Sequence, residues 1–171
     1  MNRLIARLFV PLLLLFAAGV SPLGATPGEV PVGATLRNVP MQGLTGDSRF
    51  LADYQGKPLL INVWASYCPP CLAEMGSLER LYRSRRGKLE VIGISIDDYR
   101  DRAELFLSKA GTSFAHYIDY QLTLENMLGG NRIPLTVIVG ADGRVRQKVF
   151  GAREWDSAES QALIDAALAA K

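Results

Sequence analysis

The sequence predicts an α/β fold, a central mixed β-sheet flanked by helices on both faces. Three observations predict it. Leu59–Ala65 is a nearly continuous apolar run with the length of a central strand buried on both faces, and Glu90–Ile96 reads as a second buried strand. Segments with helical spacing, Pro69–Arg85 and Arg100–Ala110, follow these two strands in turn. Finally, Thr136–Val139 and Val145–Phe150 flank Asp142-Gly143, a strong hairpin-turn signal, so the sheet ends in an antiparallel pair.

The elements follow in order. Leu36–Phe50 reads as a short N-terminal hairpin with Gly46-Asp47 near its turn. Pro58 introduces the first central strand. In Pro69–Arg85, Leu72, Met75, Leu78, Leu81 and Tyr82 recur at helical spacing, and Gly87 ends the helix. Gly111 closes Arg100–Ala110, and Leu122–Leu128 forms a shorter helix before Gly129-Gly130. Asp156 is positioned to cap a last helix whose apolar face comprises Ala162, Leu163, Ala166, Ala167 and Ala170.

The chain has 171 residues, enough for one core-bearing domain with short extensions. With 49% hydrophobic and 21% charged residues it has the composition of a soluble globular protein. Nineteen basic residues face 17 acidic ones, a net charge of +2 without a long basic run, a balance too even to suggest a nucleic-acid groove or an acidic substrate. Arg3 and Arg7 precede the apolar run Leu8–Val20, too short for an ordinary spanning helix and suited to a secretory signal. The next charge is Glu29, so an uncleaved anchor stays open beside a cleaved signal. Pro22, Pro27 and Pro31 with Gly24 and Gly28 read as a linker. The expected organisation is therefore 1–25 signal peptide or membrane anchor, 26–35 linker and 36–171 folded domain.

The two cysteines, Cys68 and Cys71, lie where the central strand gives way to a helix, in Trp64-Ala65-Ser66-Tyr67-Cys68-Pro69-Pro70-Cys71. Unpaired N–H groups and the positive dipole end of the helix are thereby aimed at Cys68, favouring its thiolate, the nucleophile in disulfide exchange. Two intervening residues bring Cys71 close enough to attack a mixed disulfide on Cys68. Pro69 and Pro70 suit a helix start, and they also remove two potential donors to the sulfur. A purely structural bridge would close a very short loop. A structural zinc site lacks its other ligands, since the chain has one histidine and no second cysteine pair. No metal and no cofactor beyond the redox-active pair is called for.

On these residues the chain resembles the thioredoxin superfamily, and within it the TlpA/ResA/CcmG(DsbE)-like branch of exported thiol–disulfide proteins. Gly56-Lys57-Pro58, Leu60–Ser66, Cys68–Cys71, Glu74-Met75, Val91–Ser95 with Asp97, Ile133–Thr136 and Asp142–Val145 carry the resemblance over residues 36–171. It implies a thioredoxin-like fold with a central insertion, for Asp98–Asn131 is longer than a minimal thioredoxin connection. It also implies a cis Ile133–Pro134 bond beside the cysteines, with Ile133 offering backbone groups to an extended substrate.

Glu74, three residues past Cys71, shares a helix face with it, and in the resembled branch such an acid assists proton transfer at the buried cysteine. Asn62 occupies the place of the buried Asp of cytoplasmic thioredoxins, which leaves Glu74 as the acid–base group. Trp64 and Tyr67 join Ile133 and Pro134 as expected substrate-side residues, Trp64 mainly through packing. His116 reads as a surface or strand histidine.

The implied activity is extracytoplasmic thiol–disulfide exchange on protein clients, as a reductant fed by a membrane thiol donor, with apocytochrome c among the clients and the protein acting as a monomer. The same exchange runs as oxidant or isomerase according to reduction potential. A peroxiredoxin-type peroxidase needs Thr or Ser three residues before its cysteine, where this chain has Ala65. A Sco-type copper carrier needs three residues between its cysteines and a metal-binding histidine. A redox-silent binding module leaves the cysteine pair without a use.

Overall fold

The computed structural model describes residues 26–170. A seven-stranded sheet has the order β2-β1-β5-β4-β3-β6-β7, with β1 Pro40–Gly43, β2 Arg49–Phe50, β3 Leu59–Trp64, β4 Glu90–Ser95, β5 Ala115–Ile118, β6 Leu135–Val139 and β7 Val145–Phe150. The helices are α1 Pro69–Ser84, α2 Arg100–Ala110, α3 Thr123–Leu128 and α4 Ala158–Ala169. β3 runs parallel to β4, pairing Leu59 with Glu90 through Trp64 with Ser95, and antiparallel to β6, pairing Val63 with Leu135. All six residues of β3 are buried, as its unbroken apolar run requires.

Alternation along β3 divides the core. Leu60 and Trp64 face a cluster with Met75, Leu78 and Leu81 of α1, Phe106 of α2 and Ile164 of α4. Leu59, Ile61 and Val63 face a second cluster with Met127 and Leu128 of α3. Asn62 falls on the first face, between Leu60 and Trp64, and is aimed at α1. The active end of the molecule is the C-terminal end of β3 and β4, where the chain turns into α1.

Several expectations need correction. Residues 26–35, expected as a linker, pack onto the domain. Val30 lies in the second cluster and its N–H donates to the Met127 carbonyl at 2.9 Å. The Gly33 N–H donates to the Val145 carbonyl, and the Val145 N–H to the Ala34 carbonyl, so this segment covers the start of the edge strand β7. The prolines and glycines that read as linker make turns instead; Gly33 stands at φ 89°, a conformation that suits glycine.

Ser157, not Asp156, caps α4, its hydroxyl accepting from the Ser160 N–H, while Asp156 pairs with Arg80 at 2.6 Å. The buried face of α4 is Ser160, Ile164 and Ala167; Ala162, Ala166 and Ala170 face solvent. An alanine-rich helix offers too little contrast for its buried side to be read. Leu72, placed on the buried stripe of α1 by spacing, is 36% exposed at the helix start. The insertion between β4 and α3 contains β5, which four residues without clear alternation did not announce. Of the two readings of His116, surface or strand, the strand one holds: it stands on β5 and is 1% exposed.

Segment 1–25, expected as signal or anchor, lies outside the described residues. Among the described residues no helix is long and apolar enough to cross a membrane.

Candidate active site

Cys68 is the N-cap of α1, in extended conformation at φ −108°, ψ 93°. Its sulfur accepts the Cys71 N–H at 3.3 Å, while Pro69 and Pro70 fill the first helical positions. The sulfur thus lies at the positive end of a 16-residue helix, where negative charge is stabilised. The two cysteines form a disulfide with an S–S distance of 2.01 Å and a Cα–Cα distance of 5.3 Å. Cys68 is 6% exposed and Cys71 0%, so an incoming sulfur meets Cys68.

The turn that presents Cys68 is held from the side. Asp97, just past β4 and buried, accepts the Ser66 N–H at 2.9 and 3.1 Å, the Ser66 hydroxyl at 2.5 Å and the Ser95 hydroxyl at 2.7 Å. Ser66 is two residues before Cys68, so a carboxylate with four donor contacts fixes where the nucleophile's loop leaves the sheet.

The Ile133–Pro134 peptide bond is cis. Because Val63 pairs with Leu135, Pro134 lies level with Trp64, at the end of β3 from which the cysteine loop departs. Pro134 is buried and Ile133 half-buried, packed against both core clusters. Proline has no N–H, so this backbone presents no donor at that point.

Glu74 lies one turn into α1 beyond Cys71 and is 1% exposed. Its Oε1 accepts from Asn62 Nδ2 at 2.7 Å, and its Oε2 from Trp155 Nε1 at 2.9 Å and from the Arg153 N–H at 3.1 Å. Burial pushes the Glu74 carboxyl above the usual carboxylate range, against the lowering effect of these three donors. All three are neutral; the Arg153 guanidinium is turned away to Glu159 at 2.7 Å. Asn62 Nδ2 also reaches Thr136 Oγ1 at 3.0 Å, and its Oδ1 has no partner among the described residues. A carboxyl raised by burial, on the same helix face as a buried cysteine, has the properties of a base poised closer to neutrality.

Of the expected substrate-side residues, Tyr67 stands at the surface, 69% exposed, beside Cys68. Its phenol is shifted up, first by partial burial and then by the charges of Asp97, Asp98 and Glu125, so the rim on that side is acidic. Trp64 is a correction. It is 0% exposed and stacks on Phe106 at 4.4 Å, so it supports the loop from below and has no surface to offer a client. His116 packs against Trp64 and Phe114, and burial lowers its pKa to about 3, so it is neutral at ordinary pH. Sequence reading missed Trp155 and the Arg153 N–H as partners of Glu74, and the clamp of Ser66 by Asp97. Trp155 carried one faint signal, an isolated tryptophan before the last helix with no apolar stripe to join.

Residues 31–164 match the Redoxin family. The thiol–disulfide oxidoreductase ResA of Geobacillus thermodenitrificans is 29% identical over 154 residues, covering 88% of each chain. The thiol:disulfide interchange protein DsbE of Vibrio cholerae is 30% identical over 158 residues, covering 89% of this chain and 83% of that one. The crystal structure of a candidate DsbE from Chlorobium tepidum superposes with a TM-score of 0.74, covering 82% of this chain and 99% of its own at 22% identity, a likeness of fold. The family match spans both cysteines, the cis-proline strand and Glu74, and the chain belongs to the Redoxin family, as a ResA/DsbE-like thiol–disulfide oxidoreductase of the thioredoxin superfamily.

Proposed function

We propose that the protein works outside the cytoplasm as a dedicated reductant of client disulfides, with apocytochrome c as a client class and a membrane thiol carrier as its electron donor. The observation that carries this reading is the pairing of a reachable Cys68 at a helix start with a buried Cys71 that shares its helix face with the raised carboxyl of Glu74. The basic-then-apolar segment Arg3–Val20 supports export.

In the reduced protein the Cys68 thiolate attacks one sulfur of a client disulfide. A Cys68–client disulfide forms, the client S–S bond breaks, and the departing client sulfur takes a proton from water. Ile133 and Tyr67 line the client's approach, with Pro134 behind them. Glu74 then accepts the Cys71 proton. The Cys71 thiolate attacks Cys68 Sγ, releasing the second client sulfur as a thiol and leaving the Cys68–Cys71 disulfide. The second client sulfur takes up the proton that Glu74 holds, so two electrons have passed from protein to client with one proton from Cys71 and one from water; the donor restores the Cys68 thiolate and the Cys71 thiol by the reverse exchange.

The deciding experiment is the reduction potential of Cys68/Cys71, by thiol labelling across dithiothreitol buffers. A value near about −270 mV is expected. One near about −120 mV makes the protein an oxidant and overturns the assigned direction. Alongside it, Cys71→Ala is expected to accumulate client on Cys68 as a disulfide; absence of any trapped protein in cells refutes the client role.

A further inference from the structure

Leu72 follows Cys71 directly, yet 36% of it is exposed. Opposite it, α2 presents Arg102, Leu105, Phe106 and Lys109, spaced as one stripe of a helix. Together with Ser66 and Leu72 these side chains line a groove of about 190 Å³ that begins beside the cysteine loop. Phe106 is its floor, stacked on Trp64 under the active site. Leu72 and Leu105 are its walls, Leu105 being 59% exposed.

The ends of the stripe are cationic. Arg102 lies over the Tyr99 ring at 4.9 Å, and neither Arg102 nor Lys109 is in a salt bridge among the described residues. The acids of α2 lie elsewhere around the helix: Asp101 and Glu104 form a separate row, and Glu104 is paired with Arg100 at 3.2 Å. The groove is therefore apolar in its centre with a cation at each end of the stripe, and Asp97, which accepts from the groove residue Ser66, belongs with Asp98 and Glu125 to the acidic surroundings of Tyr67.

Resting on the reading that protein disulfides are exchanged at Cys68, we propose that this groove binds an extended segment of the client with the pattern acidic–x–apolar–x–acidic. The apolar side chain sits between Leu72 and Leu105, and the flanking carboxylates meet Arg102 and Lys109. The dimensions agree. The seven residue steps of helix from Arg102 to Lys109 rise about 10 Å. Alternate side chains of a five-residue extended segment share one face over about 13 Å, within reach of two long basic side chains. The concave shape and the apolar strip between two cations fit a chain segment better than a flat lipid surface, on which Phe106 would be out of reach.

The test uses the reduced full-length protein and synthetic peptides that carry one cysteine in a mixed disulfide with glutathione. Each peptide has, on one side of the cysteine or the other, a Glu-x-Leu-x-Glu or a Lys-x-Leu-x-Lys cassette. The wild type is expected to reduce the acidic peptide about tenfold faster in kcat/KM at low ionic strength, mostly through KM, with the preference shrinking as salt is added. Arg102→Glu with Lys109→Glu is expected to invert the ratio toward the lysine cassette, which a variant damaged in folding or chemistry would not do. Replacing the cassette leucine by serine should lower the wild-type rate on the acidic peptide several-fold. If the wild type reduces both charge cassettes equally and the double reversal leaves the ratio unchanged, the groove does not bind clients, while the function stands. If it reduces no peptide disulfide at all, the function fails and the groove proposal with it. Equal cassette rates combined with binding to anionic phospholipid vesicles that the double reversal abolishes would make the stripe a lipid contact and overturn the proposal.

Discussion

Glu74 and Asn62 divide one task at the scale of a few atoms. Glu74 needs to exist with and without a proton, and the donors around its Oε2 favour the carboxylate form there. Asn62 can serve both states on the Oε1 side, because its unpartnered Oδ1 can turn to accept from a protonated carboxyl. The aspartate of cytoplasmic thioredoxins would bring a second negative charge to this spot. Glu74→Gln should therefore fold normally. Since burial holds the folded carboxyl above its unfolded value, stability is greatest below the unfolded range and falls as pH rises through the folded pKa. The variant is expected to match the wild type in Tm below about pH 4 and to exceed it at pH 8, measured on the oxidised protein. Release of a client from Cys68 by Cys71 should slow about 10²-fold, with loss of the pH dependence that Glu74 imposes; an unchanged rate would remove Glu74 from the proton path. The cysteines at the helix start, the cis bond before Pro134 and the helix face that Glu74 shares with Cys71 were legible in their placement because each sits in a short motif. Trp155 and Arg153 were not, because they meet Glu74 across about eighty positions of chain, a contact that only the fold creates.

The strand-to-helix unit from β3 to α1 carries the site, and its precision depends on two neighbours. Asp97→Ala would leave the Ser66 N–H, the Ser66 hydroxyl and the Ser95 hydroxyl without their acceptor in a half-buried place, a loss of about 3 kcal/mol by urea unfolding. Asp97→Asn keeps part of the acceptor geometry and should lose about half as much. Phe106→Ala removes the ring under Trp64 and is expected to cost about 3–4 kcal/mol, with a shift in tryptophan fluorescence that Phe106→Leu largely avoids. The spans of α1, α2 and α3, the central strands and the two hairpins follow the sequence patterns closely, since periodic runs and glycine stops are local signals. Leu72 breaks the pattern instructively. Spacing assigns it to the buried stripe of α1, but at the helix start no neighbouring element covers it, and an apolar side chain there faces the groove instead.

At the scale of the whole molecule, the segment 26–36 acts as a strap across the far side of the sheet from α1. Its anchor is the Glu29–Lys148 pair at 2.5 Å, with the lysine side chain 8% exposed. Burial raises the Glu29 carboxyl, but the Lys148 and Thr26 hydrogen bonds and the lysine charge outweigh it, and the net shift is downward. That stabilisation is present above the unfolded carboxylate range and is lost as pH falls through the folded value. Glu29→Gln is expected to destabilise the protein by about 2 kcal/mol at pH 7 and not at all in strong acid, by urea unfolding at the two pH values. Linker composition hid this strap, because prolines that shape a docked segment look the same as prolines that keep one extended. The strap also sets an order of events. Glu29 waits for a lysine 119 positions further on, and Gly33 for Val145, so a nascent chain that ends before Val145 lacks both of these fastenings and can hold its strap only through Val30 at Met127. A polypeptide threaded through a membrane from its amino end would complete this strap, and the edge of the sheet it covers, only after its last strand had crossed.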